Sequence, residues 1–226
     1  MAYKGPKQEN ISLNLYGKNR LNRKRVTKYP CDGCYLHLDR CICSLIPTLI
    51  LKTKISLVIH AAELKHTTNT GTLALKSLPN SEMRVRGYER TRLDLTDLLT
   101  PNYRTYLFFP SDDALELDQK LVSESGMPIH LIVPDGTWRQ AFKVHTRHPE
   151  LKNIPRVKIS SPNLSTHHIR RETNDYGMAT LQAIALALGI IEGNEVKEKL
   201  LKLYQAKLEQ TLSGRGIKIY NQKFKN

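Results

Sequence analysis

From about residue 54 the chain alternates short apolar runs with longer amphipathic ones, a rhythm that predicts an α/β domain. Ile55–His60, Tyr103–Phe109, Ile129–Val133 and Arg156–Ile159 read as strands, being short, rich in branched or aromatic residues and bounded by turn formers. Glu82–Arg86 is a weaker strand or a loop. Helical spacing predicts helices over Thr70–Ser77, Asp112–Ser123, Trp138–His145, Tyr176–Leu188 and Glu195–Leu212. In the last, Val196, Leu200, Leu203, Tyr204 and Leu208 share one face, and Lys197, Lys199, Lys202 and Lys207 lie off it. No internal repeat or low-complexity segment interrupts this pattern.

The strand ends carry the chemistry. Ile55–His60 runs into Ala61-Ala62-Glu63 and then Thr68-Asn69-Thr70-Gly71, Tyr103–Phe109 ends in Pro110-Ser111-Asp112-Asp113, and Ile129–Val133 ends in Pro134-Asp135-Gly136-Thr137-Trp138. If the strands are parallel, these loops converge on one edge of the sheet, where ligands bind in open α/β folds. Asp135 beside the only tryptophan could act as a base next to a stacking wall. Equally, Asp135 and Thr137 could cap the following helix, with Trp138 in the core.

All four cysteines fall in Cys31-x2-Cys34-x6-Cys41-x-Cys43, with Gly33 at the first turn. Four thiolates suffice for a closed structural zinc site, and such a closed site leaves no position for catalysis. Two disulfides need an oxidising compartment, and no secretory h-region precedes the cluster. An iron–sulfur cluster also accepts four thiolates.

The formal charge is +14 and lies mostly at the ends. Residues 1–28 hold eight Lys/Arg against one Glu, and 197–226 hold eight against two, leaving +1 for the 168 residues between. Such a balance points to a polyanion, nucleic acid before an anionic membrane surface. Arg20, Arg23, Lys24, Arg25 and Lys28 are the clustered candidates for RNA contact. The expected organisation is a basic flexible arm (1–28), a four-cysteine metal-binding knuckle (29–47) and a catalytic domain (48–226) with a basic C-terminal helix and tail. The most apolar stretch, Met178–Ile191, is too short to span a bilayer, so a soluble cytoplasmic protein is expected, with a monomer favoured over a dimer.

The knuckle, Asn69-Thr70-Gly71, Leu107-Phe108-Phe109-Pro110, Pro134-Asp135-Gly136-Thr137-Trp138-Arg139-Gln140-Ala141, Ile169-Arg170-Arg171-Glu172 and Thr180-Leu181-Gln182-Ala183 occur in an order that resembles the DTW-domain family. That resemblance implies a tRNA-uridine aminocarboxypropyltransferase. Such enzymes transfer the 3-amino-3-carboxypropyl group of S-adenosylmethionine to uridine N3. The resemblance also implies a SPOUT-like sheet with a C-terminal trefoil knot. Under it, Asp135, Thr137 and Trp138 are catalytic, while Phe109, Pro110, Ser111, Val133, Pro134, Gly136, Arg170, Thr180 and Gln182 hold the cosubstrate. Asn69, Thr70, Arg139 and Arg171 join the RNA contacts. Two positions depart from the family's usual Ser-Thr-x-Glu-Ala turn: Ala179 lacks a hydroxyl and Gln182 lacks a charge. An RNA methyltransferase using the same donor, ribosomal RNA as acceptor, and a zinc-bearing RNA-binding module without activity are the competing readings.

Overall fold

The structure is a computed structural model that describes residues 27–88, 92–160, 169 and 177–216. Six strands form one sheet: β1 (Lys54–His60), β2 (Ser81–Arg86), β3 (Arg104–Phe108), β4 (Leu115–Glu116), β5 (Ile129–Asp135) and β6 (Arg156–Lys158). Their order is β2-β1-β5-β3-β6-β4, and every pairing is parallel. The register of β1 on β5 sets Ile59 opposite Asp135, so the carboxylate ends its strand level with the end of β1.

Both faces of the sheet are covered, which is why the strands read as apolar runs rather than strict alternations. Ile55, Leu57 and Ile59 of β1, with Ile129, Leu131 and Val133 of β5, pack against the main core. That core is shared with α1 (Gly71–Ser77), α4 (Thr180–Ile191) and α5 (Asn194–Ser213). Val58 and Ile132 point the other way, onto Ala141 and Val144 of α3 (Trp138–Arg147) and onto Leu95 and Leu98. The alternation of side chains along a strand thus sorts residues between two helical layers. His130 sits on the α3 side, fully buried, with its Nε2 2.7 Å from Ser56 Oγ.

One predicted helix divides. Asp112–Ser123 becomes the short edge strand β4 followed by α2 (Gln119–Glu124). Leu115 and Glu116 pair with Val157 and Lys158 of β6, and Asp118 then caps α2 by accepting from Leu121 N at 2.8 Å. The helix predicted from Tyr176 begins instead at Thr180. Lys207 corrects another expectation: rather than lying off the packed face of α5 it is fully buried, and its ammonium donates to the Cys34 carbonyl. Desolvation pulls that ammonium down to about 8.

The cysteine knuckle is part of the main core, not an appendage to it. Cys34, Leu36, Ile42 and Leu49 are buried within the same cluster as α4 and α5. The knuckle's left-handed positions are Tyr29 and Tyr35, with φ of 46° and 58°. Gly33 is needed for room rather than for its φ, since a Cβ there would lie 2.3 Å from Cys43 Sγ. Among the described residues no helix is long and apolar enough to cross a membrane. The arm through residue 26, and the passage through 161–168 and 170–176 on which a knot depends, lie outside the described residues.

Candidate active site

At the carboxyl ends of β1, β3 and β5 the chain encloses a cavity of about 440 Å³. Asp135 forms one wall and is only 7% exposed. Two side-chain donors from distant parts of the chain hold this buried carboxylate. Asn69 Nδ2 donates to Oδ2 at 2.7 Å, and Thr180 Oγ1 donates to Oδ1 at 2.5 Å. A carboxylate offers about four lone-pair sites, so it can accept from more groups than these two. The loop after β1 and the start of α4 therefore meet on the last residue of β5.

The Asn69 carboxamide is itself fixed. Its Oδ1 accepts from Thr72 N and from Thr72 Oγ1, both at 3.1 Å, which closes the first turn of α1. Thr70 Oγ1 accepts from Leu181 N at 3.2 Å and joins that loop to α4. Gly71 is required by close approach, because a Cβ would stand 2.8 Å from Asp135 Oδ2 and 3.0 Å from Leu57. Asn69 and Thr70, expected among the RNA contacts, are buried cavity walls.

Thr137 is the N-cap of α3. Gln140 N donates to its hydroxyl at 3.3 Å, and Thr137 N donates to Gln140 Oε1 at 2.8 Å, a complete capping box. Its hydroxyl is thus occupied in positioning the helix, although the residue borders the cavity. Trp138 is neither a core residue nor a closed lid. It is 38% exposed at the rim, with its ring 6.0 Å from Phe109 at an interplanar angle of 62°.

Phe109, Pro110, Val133, Pro134, Gly136, Arg139 and Thr180 also line the cavity, so most of the predicted site is brought together. Ser111 and Gln182 are not among its walls. Ser111 Oγ donates to Asp113 at 2.7 Å, and Gln182 is buried within α4. Arg20, Arg23, Lys24, Arg25, Arg170 and Arg171 lie outside the described residues, as do His167 and His168. Lys28 is exposed. His60, at the carboxyl end of β1, is not a wall. Its Nδ1 accepts from Ala62 N at 3.2 Å, and burial together with Arg86 pulls its imidazole below the usual range.

Lys158 and Met178, which sequence reasoning missed, also line the cavity, as does Glu63 of the loop after β1. Glu63 is buried, with Oε2 3.5 Å from His66 Nδ1. Glu63 follows a strand within a short turn, a place where a carboxylate merits notice in an α/β sheet. No local pattern marks Lys158 or Met178.

The four cysteines gather at one point. Their sulfurs all lie within 4.8 Å of one another, with Cys31–Cys41 at 3.4 Å, Cys31–Cys43 at 3.6 Å and Cys34–Cys41 at 4.0 Å. A tetrahedron of thiolates about 2.3 Å from an ion has edges of about 3.8 Å, so the cluster fits a tetrahedral metal. The thiols differ in acidity. A backbone hydrogen bond from Cys34 holds Cys31 down to about 6, whereas burial pushes Cys43 up.

Fold and site together define a parallel α/β protein with a pinned carboxylate heading a pocket at its strand ends. Residues 28–212 match the DTW domain, and the chain belongs to that family. Among its relatives, tRNA-uridine aminocarboxypropyltransferase 2 of Macaca fascicularis is 25% identical over 182 residues, which cover 78% of this chain and 61% of that protein. The protein of the same name from Drosophila melanogaster is 27% identical over 180 residues, 76% of this chain and 70% of the relative. tRNA-uridine aminocarboxypropyltransferase A of Arabidopsis thaliana is 25% identical over 232 residues, 87% and 88% of the two chains. The chain spans about three fifths of the length of the macaque relative. No solved structure matches it.

Proposed function

We propose that this chain transfers the 3-amino-3-carboxypropyl group of S-adenosylmethionine to N3 of a uridine in tRNA. The observation that carries this reading is Asp135, buried at the cavity wall and held at both oxygens by Asn69 and Thr180. Family membership and the relatives' names supply the substrate class.

The reaction exchanges a carbon–sulfur bond for a carbon–nitrogen bond. The sulfur leaves as a neutral thioether, so no acid is needed to protonate it. Two tasks remain for the protein. The first is to remove the imide proton of uridine N3, and Asp135 is the acceptor that orients and receives it. The second is to select one of three carbons on sulfur by holding the methionine arm. The amides of Trp138 and Arg139, first-turn groups that the capping box of α3 does not use, suit the methionine carboxylate, with Arg170 as a bidentate alternative. Phe109-Pro110 and Val133-Pro134 frame the nucleoside. Trp138 at the rim stacks on the incoming uracil.

The reading extends to a SPOUT-like fold with a C-terminal trefoil knot, supported by the all-parallel sheet and by α4 returning to the ends of β5. Zinc is the metal that best suits four thiolates with spacings near 3.8 Å, in a structural role and in the reducing cytoplasm.

Incubation of the purified chain with S-adenosylmethionine and unmodified tRNA, followed by mass analysis of nucleosides, tests the assignment. A uridine carrying the aminocarboxypropyl mass supports it. A gain of a single methyl group assigns a methyltransferase instead, and product on ribosomal RNA alone moves the acceptor. Asp135→Ala should abolish turnover while tRNA binding persists; full activity in that variant refutes the role of the carboxylate.

A further inference from the structure

We propose that the outer face of α3 is the surface that carries the RNA backbone to the cavity, with Phe142 stacking a nucleotide next to the one that enters. This rests on the reading of the substrate as RNA, and adds which surface holds it.

Arg139, Lys143 and Arg147 stand four residues apart on α3 and so form one stripe along its length. Arg86 reaches the same helix from β2, its Nη1 donating to the Gln140 carbonyl at 2.8 Å. Like charges at this spacing disfavour a helix. Among the described residues no carboxylate is paired with any of the four, whereas Arg84, Arg92 and Arg156 each hold an acidic partner. The crowding is felt: neighbouring Arg147 and Arg139 depress the Lys143 ammonium, and burial and then Arg147 depress the Arg86 guanidinium. Glu63 faces His60 nearby, and Asp113 is closed by Arg156.

Beside the cations runs an aromatic strip. Phe142 is 52% exposed, one turn beyond Trp138, and the His145 ring meets its edge at 4.8 Å. Arg139 and Trp138 both border the cavity, so stripe and strip lead into it. An uncompensated row of cations alone would suit any polyanion. Cations interleaved with exposed aromatics suit one whose bases can stack, which favours RNA over a lipid headgroup.

The test uses the full chain and unmodified tRNA, with affinity measured from 50 to 200 mM salt. Lys143→Ser with Arg147→Ser removes two phosphate contacts. The slope of log affinity against log salt should then shrink by about 1.4 to 1.8, and affinity at 50 mM should fall roughly tenfold. Phe142→Ala should weaken binding by about fivefold or more at every salt concentration without altering the slope. Lys120→Glu, on the distant and exposed α2, serves as the charge control. An unchanged slope in the double variant overturns the proposal. So does a loss of binding to anionic phospholipid vesicles that leaves tRNA binding intact. Absence of product from the unaltered chain would refute the transfer reading, while the slope comparison decides the surface independently.

Discussion

Removing the Asn69 side chain should cost far more than a surface amide would, and the structure says how much. Asn69→Ala deletes the 2.7 Å bond to Asp135 Oδ2 and the two 3.1 Å bonds that close the start of α1. A hydrogen bond to a buried charge contributes about 1.5–3 kcal/mol, and a helix cap about 1 kcal/mol. The single substitution should therefore destabilise the fold by about 2.5–4 kcal/mol. A double-mutant cycle separates the two parts. Asn69→Ala, Asp135→Ala and the double variant, unfolded in urea, should give a coupling of about 1.5–3 kcal/mol, because the cap term cancels in the cycle. A coupling below about 0.5 kcal/mol would refute the argument that Asn69 holds the carboxylate. Turnover supplies a second reading. With Thr180 still bound at 2.5 Å, Asn69→Ala should retain some activity, whereas Asn69→Ala with Thr180→Val removes both of these donors and should leave almost none.

Three other perturbations follow from the packing. Gly71→Ala places a methyl 2.8 Å from Asp135 Oδ2 and 3.0 Å from buried Leu57, so kcat/KM should fall by about tenfold to a hundredfold and Tm should fall with it; wild-type turnover would show that the carboxylate tolerates displacement. Gly33→Ala drives a Cβ to 2.3 Å from Cys43 Sγ, so the purified variant should bind less than stoichiometric metal, and chelation of the wild-type protein should lower its Tm because the knuckle shares the main core; an unchanged metal content by elemental analysis would contradict this. His130 is held down to about 4 by burial and then by Lys54, so the unfolded chain binds an extra proton between about 6.5 and 4; stability should fall by about 3 kcal/mol as pH drops through that window, and His130→Gln should flatten the dependence in pH-resolved urea titrations.

The centre of the sheet was legible because β1 and β5 are buried on both faces and betray themselves as apolar runs. β4 was not. Leu115-Glu116 is a two-residue strand paired, among the described residues, with β6 alone, and the leucines in and around it (Leu115, Leu117 and Leu121) fit helical spacing as readily as strand pairing. The cysteine cluster was legible from spacing alone, since ligands so close in sequence must be close in space. The buried state of Lys207 was not, because the carbonyl that satisfies it belongs to Cys34, 173 residues away. The same distance argument applies at the cavity. Asp135 stood out by its place at a strand end, but its two donors lie 66 and 45 residues from it.

Those donors change what the neighbouring residues mean. Thr180 stands in a helical motif that resembles a cosubstrate contact, yet its hydroxyl is spent on Asp135, so its effect on any ligand passes through the carboxylate. Thr137, next but one to Asp135, is spent on Gln140. Of the named strand-end hydroxyls and carboxylates, Asp135 is the one held at both oxygens while still facing the cavity. The two departures from the family's turn divide in the same way. Gln182 lies within α4 away from the cavity, so its missing charge is missing from the helix packing, whereas Ala179 is a wall residue and its missing hydroxyl alters the cavity surface itself. Under the proposed function, the chemistry would depend on a carboxylate held by two residues that do not themselves react. A substitution at either donor should be read first as a change in where Asp135 points, and only then as a change in what the pocket binds.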